Sequence, residues 1–148
     1  MSMKKVRIFL GGTCNGTQWR ENLIPYLKKM GFDYFNPVVS DWTPECQEIE
    51  EIEKNEKCNV HLYVITKEMV GTYSIAEVIH SAHLANMYGT SVDKIVFAVL
   101  DENKWQEHER KSFDAIMRLV LKIARENAVV GYVGDMQQLS YKLNACYA

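Results

Sequence analysis

The sequence lacks a long apolar run and an excess of either charge. No stretch of its 148 residues reaches the roughly 20 consecutive apolar residues that a membrane-spanning helix needs. Its 17 Lys and Arg stand against 19 Asp and Glu, so a net charge of -2 provides no basic field for polymeric nucleic acid or an anionic membrane. The apolar run ending at Leu10 is shorter than a signal-peptide core and meets glycines instead of a cleavage site. We therefore expect a cytoplasmic protein with neither nucleic acid nor membrane as a partner.

The sequence also lacks a clustered cysteine or histidine motif. The four cysteines show no C-x-x-C spacing, and the four histidines show no metal-ligand spacing with them. This pattern predicts free thiols, histidines in surface or packing roles, no metal site and no cofactor. Cys14 precedes a helix, where the helix dipole would stabilise a thiolate, but a small filler residue is the simpler interpretation.

Strand and helix signals alternate along the chain. Hydrophobic residues make up 47% and charged residues 24% of the sequence, which is typical of a compact fold, and the length suits a single domain over residues 1–148. Apolar β-branched runs predict strands at 6–10, 34–39, 60–66, 94–100 and 128–133, and helical periodicity predicts helices at 19–30, 44–58, 74–88, 107–127 and 136–147. Such βαβ units predict an α/β fold, a doubly wound five-stranded parallel sheet of order 2-1-3-4-5 with helices on both faces.

The second predicted helix is densely acidic. Its only apolar stripe is thin and consists of Cys46, Ile49 and Ile52. This pattern indicates a solvated helix that leans on the sheet through that stripe, with no chemistry assigned to it.

A ligand is expected at the carboxyl ends of strands 1 and 3, where the chain reverses its winding direction. The first loop there is GGTCNG, whose backbone N–H groups could receive a phosphate or a sugar hydroxyl, with Arg20 as the nearest cation. It lacks the G-x-G-x-x-G spacing of a dinucleotide site and the ending of a P-loop. A tight turn capped by Asn15 or Thr17 explains the same residues without a ligand.

Glu77 follows the second loop and has two interpretations. Ser74 and Glu77 have the S-x-x-E spacing of a capping box, in which Glu77 bonds the Ser74 backbone. Alternatively, a carboxylate in the first turn of a helix that points into the crevice is kept ionised by the dipole and can attack a sugar C1 without a metal. His80, one turn further, is a possible neighbour of the same crevice.

Aromatic and amide residues near the strand ends suit a nucleoside. Stacking on a base is possible for Trp19, Trp42 and Tyr73, whereas Asn15, Asn36 and Asp41 could bond hydroxyls.

Three blocks, IFLGGTCNGTQWR, YFNPVVSDWTPE and LYVITKEMVGTYSIAEV, together resemble the nucleoside 2-deoxyribosyltransferase-like family over about the first two thirds of the chain. The resemblance implies a flavodoxin- or Rossmann-like fold and cleavage of the N-glycosidic bond of deoxynucleosides or deoxynucleotides by a glutamate nucleophile. It places the nucleophile on Glu77 and pocket-lining roles on Asn36 and Asp41. Ser74 and the segment from Gly12 to Asn15, in the loop that begins at Gly11, would face the sugar or a 5′-phosphate.

The sequence departs from that family at two places. Better-known members carry an aspartate at the end of the third strand, where this chain has Thr66-Lys67-Glu68, and an E-x-G-x-A pattern, where it has Val78-Ile79-His80 after Glu77. The resemblance therefore does not identify the general acid, for which Asp41 and Glu68 are the candidates. Members are usually homo-oligomers with a neighbour closing each site, which implies at least a dimer here, with Tyr147 or the terminal carboxylate as a possible contributor.

These features predict an enzyme that transfers a deoxyribosyl group from a nucleoside or nucleotide to a free base or to water. Two alternatives remain. One is a non-catalytic nucleotide-binding or sensing module that uses Glu77 as a cap or a hydroxyl acceptor. The other is a nicotinamide dinucleotide glycohydrolase, which the short glycine loop disfavours.

Overall fold

The computed structural model describes residues 5–14, 16–101 and 105–147. Its sheet contains five parallel strands in the order β2-β1-β3-β4-β5. The strands are β1 (Arg7–Gly12), β2 (Asp33–Phe35), β3 (Val60–Ile65), β4 (Lys94–Leu100) and β5 (Ala128–Val133). The predicted fold class and strand order are therefore confirmed, and the reversal between β1 and β3 lies where the sequence indicated.

The described residues contain five α-helices. They are α1 (Trp19–Lys29), α2 (Pro44–Ile52), α3 (Tyr73–Leu84), α4 (Glu107–Ala124) and α5 (Met136–Ala145). The helix predicted at 44–58 is α2 followed by a π-helical segment, Glu53–Lys57. The second strand ends at Phe35 because the Asn36 side chain accepts a hydrogen bond from the Val38 N–H at 3.0 Å, which turns the chain.

Apolar side chains cover both faces of the sheet. On one face, α1 and α5 pack Leu23, Leu27 and Leu139 against β1 and β3. On the other face, Val78 of α3 and Val120 of α4 pack against β3 and β4. Every residue of β3 is buried, including His61, which explains why its sequence lacks the apolar–polar alternation of a half-exposed strand.

The helix α2 does not lean on the sheet through its apolar stripe. No residue of α2 is buried, and Ile49 and Ile52 are 51% and 44% exposed. The expectation of an inward-facing stripe is wrong, because the inward-facing groups of this region are charged. Glu50 lines a pocket, and Lys54 of the π-helical segment forms an ion pair with Glu77.

Within the described ranges, no helix combines the length and the apolar character needed to cross a bilayer. All four cysteines are free thiols. The same residues contain no group of three or more His, Cys, Asp or Glu side chains arranged to hold a metal ion.

Candidate active site

A pocket of about 460 Å³ opens at the carboxyl edge of the sheet. It lies among the loops that follow β1, β2 and β3, at the position where doubly wound sheets bind ligands. Its lining residues are Phe9, Gly11, Gly12, Thr13, Cys14, Arg20, Pro37, Val38, Val39, Trp42, Glu50, Glu68, Met69, Val70, Gly71, Tyr73, Ser74 and Glu77.

The glycine turn after β1 is fastened to β3. Gly12 has a φ of +113°, and a Cβ there would overlap the carbonyl of Val64. A Cβ at Gly11 would lie 2.6 Å from the ring of Tyr63. The Thr13 N–H donates to the Val64 carbonyl at 2.9 Å, so it is already used. Close packing on β3 thus accounts for both glycines without a ligand.

Arg20 and Trp19 donate hydrogen bonds to backbone carbonyls in and before this turn. Arg20 is 4% exposed, and its guanidinium donates to the carbonyls of Leu10 at 2.9 Å and Thr13 at 2.7 Å. Burial lowers the pKa of Arg20 below its usual value. Trp19 is 2% exposed and donates its indole N–H to the Thr13 carbonyl at 2.9 Å. The Arg20 guanidinium therefore supports the turn through its hydrogen bonds, and Trp19 is a core residue that is not placed to stack on a base.

Glu77 is the fifth residue of α3, in the second helical turn. The helix begins at Tyr73 with Thr72 as its N-cap, and its first turn contains no acidic residue. The predicted Ser74–Glu77 capping box is therefore not formed, because Ser74 already lies inside the helix. The expected stabilisation of Glu77 by the helix dipole is also wrong, since that effect falls off within the first turn.

The charge that Glu77 faces comes from Lys54. The Lys54 ammonium donates to the Glu77 Oε2 and lies 4.9 Å from the centre of the Phe9 ring. Both charged side chains are only 17% exposed. The two side chains therefore form a largely buried ion pair at the edge of the pocket.

Two further carboxylates, Glu50 and Glu68, line the same pocket. Burial raises the pKa of Glu50 above its usual value, the Lys54 ammonium opposes that shift, and the Glu77 carboxylate adds to it. Glu68 also borders a neighbouring cavity of about 760 Å³ beside α1 and the start of α5. The described lining of the pocket therefore holds three carboxylates and one guanidinium, that of Arg20.

The remaining predicted residues divide into two groups. Trp42 and Tyr73 line the pocket and are 60% and 75% exposed, and Ser74 is half-buried beside them. Asn36 and Asp41 are not among the described residues that line the pocket; the Asn36 side chain bonds Val38, and Asp41 is exposed. Asn15 lies outside the described residues. His80 is exposed on α3.

The sequence did not predict a buried chain of hydrogen bonds that connects Lys54 with His61, Ser81 and Tyr63. His61 is fully buried and lies 2.7 Å from the Lys54 carbonyl through Nε2 and 2.8 Å from the Ser81 hydroxyl through Nδ1. The carbonyl can only accept, so Nε2 carries the proton and Nδ1 accepts from Ser81, which in turn accepts from the Tyr63 hydroxyl at 2.7 Å. Burial lowers the pKa of His61 to about 4.

Comparison with known proteins is consistent with this architecture. No curated protein matches the chain. A family model described as nucleoside 2-deoxyribosyltransferase like matches residues 5–101. The match runs from β1 to the end of β4 and includes every described residue that lines the 460 Å³ pocket. The chain therefore belongs to the nucleoside 2-deoxyribosyltransferase-like family.

Proposed function

We propose that this protein cleaves the N-glycosidic bond of a 2′-deoxynucleoside through a covalent ester on Glu77 and passes the deoxyribosyl group to another base or to water. The observation that carries the proposal is the Glu77 carboxylate, paired with Lys54 and lining the switch-point pocket. Family membership supplies the reaction class.

Two displacements at C1′ make up the reaction. In the first, a Glu77 oxygen bonds to C1′ while the C1′–N bond breaks, and its electron pair leaves with the base, which takes a proton from an acid. In the second, a nitrogen of an acceptor base or the oxygen of water bonds to C1′. As that bond forms, the C1′–O bond of the ester breaks and its electron pair returns to Glu77 as a carboxylate, while the acceptor loses its proton to the group that acted as the acid.

Glu50 is the best-placed described residue for the acid role. It lines the pocket, and its raised pKa increases the protonated fraction available near neutral pH. Glu68, the acid expected from the sequence, is the second candidate because it also lines the pocket. Asp41, the other expected acid, is exposed outside this lining, so we do not assign the proton to it.

The charge of the pocket favours a free nucleoside over a nucleoside monophosphate. Glu50, Glu68 and Glu77 line it, and the Arg20 guanidinium is occupied by backbone carbonyls. A dianionic phosphate would find no net positive charge here, because Glu68 and Glu77 outnumber the single guanidinium of the described lining even when Glu50 is protonated. Trp42 and Tyr73 offer apolar surface for the base.

We further propose that a second copy of the chain covers the mouth of this pocket. The rim carries large exposed apolar side chains: Val38, Val39, Trp42, Val70 and Tyr73, with Ile49 and Ile52 on the adjacent helix α2. Apolar surface of this extent beside a pocket is typical of an interface. Covering it would exclude water, which is what transfer requires in competition with hydrolysis.

The rival function is a binding module, and the Lys54–Glu77 pair gives it specific support, because a carboxylate neutralised by a lysine can serve as a hydroxyl acceptor alone. Wild type and Glu77→Gln separate the two functions. Both proteins are incubated with deoxynucleosides and their 5′-monophosphates, with and without an acceptor base, and the products are separated chromatographically. Nucleoside binding is measured in parallel by calorimetry.

The enzyme proposal predicts base release or exchange by wild type and a loss of roughly 10³-fold or more in Glu77→Gln, with binding retained. Dependence of the product on the acceptor distinguishes transfer from hydrolysis. Binding without turnover by either protein contradicts the enzyme and supports the module. Faster turnover of monophosphates than of nucleosides contradicts the proposed substrate class.

A further inference from the structure

Lys54 is hydrogen-bonded to one of the two oxygens of Glu77. Its ammonium binds Oε2, and Lys54 is not among the described residues that line the pocket, so it lies behind the carboxylate and leaves Oε1 for C1′. We infer that Lys54 is a positioning residue that makes Glu77 a good leaving group in the second displacement. This inference rests on the proposed function.

The π-helical segment leaves the backbone carbonyl of Lys54 without its usual helical hydrogen bond. In an α-helix the Cys58 N–H would bond the Lys54 carbonyl, but here it donates to the Glu53 carbonyl at 2.7 Å, a π-helical step. The Lys54 carbonyl is thereby released, and the His61 Nε2–H donates to it at 2.7 Å.

Helix α3 consequently holds both the side-chain ammonium and the backbone carbonyl of Lys54. Glu77 binds the ammonium, and Ser81, one turn further on the same helical face, donates to the His61 ring that binds the carbonyl. Arg7 fixes the start of the π-helical segment, because its guanidinium donates to both Glu53 oxygens at 2.9 and 3.0 Å. A lysine fixed in this way stays beside Glu77 when the carboxylate loses its charge.

Because Lys54 stays beside Glu77 throughout the reaction, the change in the charge of Glu77 determines which step Lys54 assists. In the glycosyl ester Glu77 carries no charge, so the half-buried ammonium loses the carboxylate to which it is hydrogen-bonded and keeps only the longer-range attraction of Glu50. When the acceptor bonds to C1′, the ester bond breaks, its electron pair returns to Glu77, and the ion pair forms again. Lys54 therefore stabilises the carboxylate relative to the ester, which lowers the barrier of the second step and slightly raises that of the first.

The test is accumulation of the ester in Lys54→Met, followed by quenched-flow sampling and intact-protein mass spectrometry with a deoxynucleoside as substrate. Loss of a charge-assisted hydrogen bond predicts a second step about 10- to 100-fold slower. The first-turnover release of base should change only a few-fold. A deoxyribosyl adduct should therefore dominate in the variant at steady state and stay minor in wild type.

Three controls keep the outcome specific. Lys57→Met removes an exposed lysine of the same π-helical segment and should behave as wild type. Lys54→Arg should restore the second step, and the double variant Lys54→Met with Glu77→Gln should form no adduct. Equal slowing of both steps, or an adduct in Lys57→Met as well, overturns the inference while the proposed function stands. Absence of turnover in wild type overturns the proposed function and this inference with it.

Discussion

Gly12 and Val64 are so closely apposed that no side chain fits between them. A Cβ on Gly12 would overlap the Val64 carbonyl, and the Gly12 φ of +113° disfavours any L-residue. The two residues are neighbours in the β1–β3 pairing, which ends where the pocket begins. The packing of β1 against β3 thus determines the shape of the pocket beside Gly12.

Gly12→Ala should destabilise the fold. Strain at the positive φ and the overlap with Val64 together should cost about 3 kcal/mol, which corresponds to a melting temperature lower by about 10 °C. Gly31 is the matched control, because its φ is +73° and a Cβ there meets nothing within 4 Å. Gly31→Ala should cost only about 1 kcal/mol. Thermal unfolding that shows equal losses for the two variants would contradict the packing argument.

Ile49→Glu should dissociate the proposed oligomer. Ile49 is 51% exposed on α2 and does not line the pocket, so a charge there disturbs an apolar interface without entering the site. Light scattering after gel filtration should report a mass of two or more chains for wild type and of a single chain for the variant. The ratio of transfer to hydrolysis should fall with dissociation.

Leu119→Glu supplies the control for this experiment. Leu119 is 45% exposed on α4 and does not line the pocket, so the same chemical change there should leave the mass unaltered. A monomeric wild type at high protein concentration would refute the second-copy proposal directly.

The sequence predicted the sheet because the information was local. Each apolar run of β1, β3, β4 and β5 specifies a strand by itself, and βαβ handedness then restricts the order of the strands. The second strand was predicted too long because the Asn36 turn competes with an extended chain. The position of the pocket followed from topology alone.

The interior of the site depended on tertiary contacts that no local pattern encodes. Glu50 and Lys54 lie four residues apart in a run that is acidic almost throughout, so spacing could not distinguish them from solvated neighbours. Their role is visible only when that segment lies beside Glu77 of α3. The hydrogen bonds of Arg20 could not be predicted for the same reason, since its carbonyl partners in the turn are defined by folding.

His61 should make stability sensitive to acid. Its pKa falls from 6.5 in the ordinary state to about 4 in the fold, so the unfolded chain binds a proton that the folded protein resists. The contribution of neutral His61 to the free energy of unfolding is therefore fully present well above pH 6.5 and is lost as the pH falls towards 4. Linkage predicts a loss of about 1.5 kcal/mol between pH 6.5 and 5, measured by urea unfolding.

His61→Gln isolates this effect, because glutamine keeps a donor for the Lys54 carbonyl but does not titrate. The free energy of unfolding should therefore depend less on pH between 6.5 and 5 in the variant than in wild type. The Arg7 hydrogen bond lowers the pKa of Glu53 below its usual 4.5, so that ion pair weakens only at lower pH and does not interfere. An unchanged slope in the variant would show that another group carries the sensitivity.

Glu50→Gln should abolish proton donation while sparing the nucleophile. With a natural deoxynucleoside, kcat/KM should fall roughly 10²- to 10⁴-fold, the usual contribution of a general acid. With p-nitrophenyl 2-deoxyriboside, whose leaving group departs without a proton, the first step should change little. Glu48→Gln, an exposed carboxylate of the same helix, should match wild type on both substrates. If Glu68→Gln shows this split between substrates and Glu50→Gln does not, the proton comes from the loop after β3 instead of from α2.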